Sequence, residues 1–282
     1  MFNNLQFIQP FIDNFLNKCN ANRTFLNIPA NMLIYEYTFN DYNNYYINTS
    51  DLQENDNVLL EFIASPYCEW IIGYNNNDNN SQFYCVAPSN EKFNLTIDKF
   101  DNYLCVRFDD NVCFFNKNTR TNAKPADMFS DVINYTPAQN SFEYKLCNQL
   151  RTSKTFSDKI KYFCEFLKQS KKNFSVPENT QAIMNTIKTA NGCITISQLS
   201  DMFGYSTRHI SRIFTTTFGY SPKDYCKFIR FQYALKQIIE NPNRNNCEFI
   251  YNINGYSDQA HFQREFKAYT GITPRQFTKL LK

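Results

Sequence analysis

Between about residues 24 and 116, apolar and polar positions change places every residue or two. In MLIYEYTFN, Tyr35, Tyr37 and Phe39 fall on one side of an extended chain, and Ile34, Glu36 and Thr38 on the other. VLLEFIAS, EWIIGY, SQFYCVA, FNLTI, YLCVRF and VCFF are further short runs rich in β-branched and aromatic residues, and they read as strands. Asn/Asp clusters part them, most clearly NNNDNN at 75–80, which reads as a solvated turn or mobile loop. Many short strands at this spacing predict a sandwich or barrel. Ahead of them, PFIDNFLNK aligns Phe11, Ile12 and Phe15 on one helical stripe, expected to pack on the sheet.

The period then changes to that of a helix. Phe142, Leu146 and Leu150 recur at four-residue intervals behind Thr136-Pro137, which reads as a cap and first helical residue. SDKIKYFCEFLKQSKK carries Phe156, Ile160, Phe163 and Leu167 on one stripe with charges opposite. We expect it to cover the sheet; a dimer seam is the alternative. The boundary falls in KKNFSVPENT, about residues 170–180. Beyond it every periodic segment is helical. Ile183, Met184, Ile187 and Ala190 form a stripe stopped at Asn191-Gly192. A short helix at 196–203, a break at Gly204 and a helix at 206–218 make a helix-turn-helix signature. A long helix runs from Pro222 to about Glu240, ended by Asn241-Pro242. CEFIYNIN, the turn at Gly255 and SDQAHFQREFKAY then repeat the unit.

The repeat extends to the letters. GYSTRHISRIFTTTFGYSP (204–222) and GYSDQAHFQREFKAYTGITP (255–274) align on Phe214 and Phe266. Each opens on Gly-Tyr-Ser, carries a histidine five residues before the phenylalanine and an arginine two before it, and closes on Gly-x-x-Pro. Ile210 with Phe214, and Phe262 with Phe266, are spaced to share a buried face. Opposite lie Arg208, Ser211, Arg212 and Thr215 in the first helix, and Gln259, Ala260, Gln263, Arg264 and Lys267 in the second. Arg can grip guanine O6/N7, Gln can grip adenine N6/N7, and Ala can meet a thymine methyl. One such stripe would ordinarily be a solvated face. Two in register, each behind a short helix and a Gly turn, read as major-groove readers, with the early part of each helix on the bases. His209 and His261 read as phosphate or base contacts, or as residues packed between helices.

Charge agrees with this division. From Pro177 onward, 13 Lys+Arg face 7 Asp+Glu, leaving 16 against 19 in residues 1–176, so the halves carry +6 and −3. A basic module attached to something else is the pattern of a nucleic-acid binder. At 282 residues, 43% hydrophobic and 20% charged, the chain fits two ordinary globular domains, although aromatics reach 17%. No apolar run could span a membrane, and the N-terminus lacks the pattern of a secretory signal. The ten cysteines form no CxxC or CxxxC pair, which disfavours zinc ribbons and redox motifs. We read most of them as small buried hydrophobes in a cytoplasmic protein. No Gly-rich phosphate loop, GxSxG or HExxH occurs, and we expect neither an enzyme, nor a cofactor, nor a metal site.

Residues 177–282 resemble the DNA-binding domain of AraC/XylS-type transcription regulators, in which two helix-turn-helix units are joined by a long linker helix. The resemblance rests on Gly204, Ser206, Phe214, Gly219, Pro222 and Tyr225 in the first unit. It continues through Arg230 and Ala234 in the linker, and Gly255, Phe262, Phe266, Gly271, Pro274 and Phe277 in the second unit. It implies base-reading positions at Arg208, Ser211, Arg212, Gln259, Ala260, Gln263 and Arg264. Tyr251 stands where the family usually has a small Ala, which puts docking of the second unit in question.

The expected fold is therefore α+β. Residues 1–172 form a β-rich sandwich- or barrel-like domain with flanking helices, for effector sensing or dimerisation, and residues 177–282 form the all-α DNA-binding domain. The family's commonest sensor half is cupin-like, with His ligands for a metal; residues 1–176 contain no histidine, so that site is excluded. Tyr35, Tyr37, Phe62 and Trp70 are candidate walls for a mostly apolar effector, although core is the commoner role for such residues. Arg107 is a candidate for the effector's carboxylate, or pairs with a neighbour such as Asp109. Expected partners are double-stranded DNA, a small effector, a second copy of the chain, and RNA polymerase if the protein is an activator. Two other functions compete. An alkyl-acceptor repair protein needs a four-cysteine zinc site, and the pairs are missing. The N-terminal half could instead bind a protein partner, or only dimerise.

Overall fold

A sheet with apolar residues on both faces must be covered twice. The computed structural model describes residues 32–38, 57–62, 64–65, 67–108, 132–170, 176–240 and 255–280. The expected helix at PFIDNFLNK, the VCFF strand and the short helix CEFIYNIN with Tyr251 lie outside these residues. The strands are β1 (Met32–Thr38), β2 (Asn57–Phe62), β3 (Cys68–Tyr74), β4 (Ser81–Val86), β5 (Phe93–Asp98), β6 (Asn102–Phe108) and β7 (Val132–Tyr135). They form a five-stranded sheet in the order β1-β6-β3-β4-β7 and a two-stranded sheet, β2-β5. All pairings are antiparallel.

Alternation along the strands divides the core. Trp70 and Ile72 of β3, Phe83 of β4 and Val106 of β6 lie against α1 (Phe142–Thr152) and α2 (Phe156–Ser170). Ile71, Tyr84, Tyr103 and Cys105 face the other way, with Phe62, Phe93 and Leu95 of the small sheet packed on them. This is a sandwich covered by two helices. Ile160, Phe163 and Leu167 of α2 are buried in the helix-facing core, so this stripe covers the sheet.

One local expectation is corrected. The helix begins not behind Thr136 but at Phe142, capped by Ser141, whose Oγ accepts from Tyr144 N at 3.1 Å. β7 extends the sheet beside β4, and Thr136 at its end donates to Gln82 Oε1 at 2.8 Å instead. Of the two readings of NNNDNN, the solvated turn holds: 76–80 are exposed between β3 and β4 and the turn is tied to α1. Arg151 of α1 donates to the carbonyls of Asn75 and Asn80, each at 3.0 Å, and Asn75 N donates to Asn80 O at 3.2 Å.

The remaining helices are α3 (Glu178–Thr189), α4 (Ile196–Phe203), α5 (Thr207–Phe218), α6 (Pro222–Glu240), α7 (Gln259–Thr270) and α8 (Pro274–Leu280). One core joins them, with Ile183, Leu199, Phe214, Phe228, Phe231 and Phe266 at 0% exposure. Ala64, from the connection between β2 and β3, is buried in that same core, and its N–H donates to Tyr269 O of α7 at 3.2 Å. Cys68, Cys85, Cys105, Cys147 and Cys226 are buried, and burial pushes the Cys147 and Cys226 thiols up to about 11. Among the described residues, no helix is long and apolar enough to cross a membrane.

Candidate nucleic-acid interface

The first unit is built by caps at both of its turns. Thr195 Oγ1 accepts from Gln198 N at 3.1 Å, and Gln198 Oε1 accepts from Thr195 N at 2.9 Å, a reciprocal pair that starts α4. Ser206 Oγ accepts from His209 N at 3.2 Å and starts α5. On α5, Ile210, Phe214 and Phe218 are buried, and Phe214 meets Phe218 and Tyr225 with ring centroids 5.5 and 5.8 Å apart. That anchoring leaves Arg208, Arg212 and Thr215 exposed and Ser211 half-buried. Ser211 Oγ donates to Thr207 O, and Thr215 Oγ1 to Ser211 O, both at 2.9 Å. Those hydroxyls are turned back on their own helix, so the groups projecting farthest are the guanidiniums.

α7 repeats the arrangement in the same register. Asp258 Oδ1 accepts from His261 N at 2.7 Å, and this bond, helped by Ser257, holds the Asp258 carboxyl below its usual range. Phe262, Phe266 and Tyr269 are buried, while Gln259, Ala260, Gln263, Arg264 and Lys267 are exposed. Arg212 and Arg264, Ser211 and Gln263, Thr215 and Lys267 thus occupy equivalent outward positions. The turns differ. Gly204, φ 68°, would have open space around a Cβ, so its conformation alone asks for glycine. Gly255, φ 67°, would also bring a Cβ to 2.9 Å from Cys193 Sγ, so there the α3–α4 connection closes against the turn.

Both histidines are half-buried, each with its ring against the tyrosine of Gly-Tyr-Ser: His209 on Tyr205 at 4.9 Å, His261 on Tyr256 at 5.4 Å. His209 Nδ1 also lies 3.2 Å from Arg212 Nη2, within hydrogen-bonding distance of the guanidinium. His261 turns elsewhere, with Nδ1 3.2 Å from Ser257 Oγ and Nε2 3.9 Å from Glu265. Sequence reasoning missed Glu265, although it is the one acid on either outward-facing helix. It pairs at 3.1 Å with Arg230 of α6.

The N-terminal candidates do not converge. Trp70 is 1% exposed on the helix-facing side, with the rings of Phe83, Phe108, Phe163 and Phe166 at 5.5–6.3 Å. Arg107 belongs to the opposite side, directly across the ladder from Glu69, whose Oε1 accepts from Arg107 Nε at 2.6 Å. Its partner is therefore Glu69; Asp109 lies outside the described residues. Phe62 stacks on Phe93 at 5.1 Å in the small sheet. Tyr35 and Tyr37 register with Cys105 and Tyr103. Trp70 and Arg107 thus lie on opposite faces of the sheet.

Residues 199–280 match a family described as a helix-turn-helix domain. None of the curated proteins matches the chain in sequence. Among solved structures, it is similar to ToxT from Vibrio cholerae O395, at 12% identity over 90% of this chain and 99% of that one, TM-score 0.47. It is also similar to unsaturated fatty acid bound wild-type ToxT from Vibrio cholerae strain SCE256, at 12% identity over 90% and 97%, TM-score 0.46. The C-terminal domain of AraT, a response regulator from Geobacillus stearothermophilus, is matched at 19% identity over 38% of this chain and 88% of that one, TM-score 0.34. The family match over 199–280, the two capped helices in one register and the long helix between them identify this C-terminal region as an AraC-type helix-turn-helix domain.

Proposed function

We propose that α5 and α7 read adjacent major grooves of an operator, and that a small molecule bound by the N-terminal sandwich controls this reading. The observation that carries the first part is the duplicated outward face: Arg208, Ser211, Arg212 and Thr215 on α5, with Gln259, Ala260, Gln263, Arg264 and Lys267 on α7. Arginine and glutamine at the start of a helix suit guanine and adenine edges, while Lys267, farther along, suits a phosphate.

The control half of the reading is supported by Ala64. Its burial in the helix-turn-helix core and its bond to Tyr269 O tie the sandwich to the end of α7. A domain boundary near 172–177 is therefore one of chain, not of contact. A strand-rich, aromatic domain suits a mostly apolar effector with one polar or anionic end.

Selection of duplex sites by the full-length protein from a random pool, followed by footprinting, tests the first part. Protection of two major-groove segments about one helical turn apart is the expected result. No selected sequence would refute specific DNA reading. Melting the full-length protein with fatty acids, sterol-like acids, aromatic acids and sugars tests the second. At about 100 times its Kd, a ligand adds about 2.7 kcal/mol. No shift with any class, together with a copurifying second chain or a stable dimer, would replace sensing by partner binding or dimerisation.

A further inference from the structure

The described contacts between α6 and α7 are mostly rings. Phe231 meets Phe266 at 5.6 Å and Tyr269 at 4.9 Å, and Phe228 meets Tyr269 at 6.0 Å. Apolar burial is non-directional, so a helix on such a bed rolls about its axis at small cost. A roll of about 20° moves a side chain lying 5–6 Å from the axis by about 2 Å. Hydrogen bonds to base edges tolerate only about 0.5 Å. Something must fix the angle.

Across this bed, Arg230 Nη2 reaches the two oxygens of Glu265 at 3.1 and 3.4 Å, and its guanidinium lies 4.6 Å over the ring of Tyr256. The two side chains are 14% and 8% exposed, so salt screens the pair little. Burial opposes the charge on Arg230, but Glu265 and Tyr256 together outweigh it and hold the guanidinium above its ordinary pKa. His261 Nε2, 3.9 Å from the same carboxylate, adds a further polar contact at the start of α7. Glu265 is flanked in sequence by Arg264, which points outward, and Phe266, which is buried. A tether at 265 therefore sets the roll of the whole helix.

We propose that Arg230 is a positioning residue for the second reading helix: through Glu265 and Tyr256 it fixes the roll of α7, and so the aim of Gln263, Arg264 and Lys267. Among the described residues α5 has no such counterpart: the position equivalent to Glu265 is Ile213, half-buried against the core. The proposal rests on the reading of α5 and α7 as groove-reading helices.

The test uses full-length protein on a duplex carrying both selected half-sites, comparing Arg230→Ala, Glu265→Gln, Arg230→Lys and the exchange Arg230→Glu with Glu265→Arg. Footprints at each half-site and a thermal melt are recorded for each. We expect Arg230→Ala and Glu265→Gln to keep protection of the α5 half-site and lose that of the α7 half-site, weakening overall binding about tenfold or more. On a duplex holding the α5 half-site alone, they should match the wild type. The exchange should restore the second footprint, and Arg230→Lys should restore part of it. Should Arg230→Ala fail to fold, the near-isosteric Glu265→Gln carries the same comparison. Equal loss at both half-sites, no loss at either, or an exchange no better than the single changes would overturn the proposal. A wild type that leaves no footprint would refute the DNA reading instead, a separate outcome.

Discussion

At Arg212 two demands meet on one side chain. It must stay outside the core that Ile210 and Phe214 anchor, and to read a base its guanidinium must be aimed, for which His209 Nδ1 offers an acceptor at 3.2 Å. Arg212→Ala should cost about 1–3 kcal/mol on the selected site and relax preference at one base position. Lys267→Ala should weaken all duplexes about equally and lower the salt slope by roughly one unit. Titrations of selected and scrambled duplexes at several salt concentrations distinguish the two; an Arg212→Ala loss equal on both duplexes would make it a phosphate contact. The outward residues were legible in the sequence because a period of 3.6 with fixed phenylalanines determines a helix's two sides. The histidines were not. A tilted Tyr205–His209 pair and an edge-on Tyr256–His261 pair depend on how each turn folds, and the second turn has one residue more.

Among elements, polar residues at their ends and edges separate what the pattern revealed from what it hid. α4 and α6 were legible to their ends, since Thr195 and Gln198, Gly204, and Pro222 mark them. α1 was misplaced because Thr136-Pro137 also looks like a start; which of two caps is used depends on β7 pairing with β4, a contact distant in sequence. At the start of α6, Asp224 N donates to Ser221 Oγ at 3.1 Å and the Asp224 carboxylate accepts from Ser221 Oγ at 2.6 Å. Burial works against ionising Asp224, but Ser221 and Lys227 outweigh it, so its pKa lies below the ordinary 3.8. A depressed carboxyl stabilises the fold fully above its unfolded pKa, and that contribution is lost as pH falls through the lower folded value. Asp224→Asn should therefore lower Tm at neutral pH, with the gap to wild type closing in acid; melts of both proteins across that range check the sign. The pair across β3 and β6 behaves differently. Glu69 and Arg107 are each 4% exposed, so Glu69→Leu leaves a buried cation and should cost about 3–5 kcal/mol by denaturant unfolding. Glu69→Leu with Arg107→Met should recover most of that loss. If instead Arg107 serves an effector, the double change would fold yet abolish the ligand's melting shift.

The two halves of the molecule meet where Ala64 N bonds to Tyr269 O near the end of α7. Tyr269 also packs on Phe228 and Phe231, so whatever moves the β2–β3 connection acts on the bed that supports α7. This contact could not be read from the sequence, because neither Ala64 nor a backbone carbonyl carries a signature. The charge asymmetry gave a reason for two domains but not a place for their junction. Salt sets the first condition of any test, because each phosphate neutralised lowers log K by about 0.9 per decade of salt. At one fixed salt concentration, linkage makes the remaining prediction reciprocal. If an effector tightens operator binding by some factor, operator DNA must tighten effector binding by the same factor, commonly about 5–150-fold or 1–3 kcal/mol. An effector that lowers DNA affinity must itself be expelled by DNA equally. We expect the coupling to act mainly on the α7 half-site, since the contact with the sandwich lies at that helix. The measurement is effector titration of the full-length protein alone, with the α5 half-site duplex, and with the complete operator, following melting temperature or the fluorescence of Trp70. Equal effector affinity in all three conditions would mean that the sandwich binds without controlling DNA. Coupling of the same size with the α5 half-site alone would move the point of control away from Tyr269.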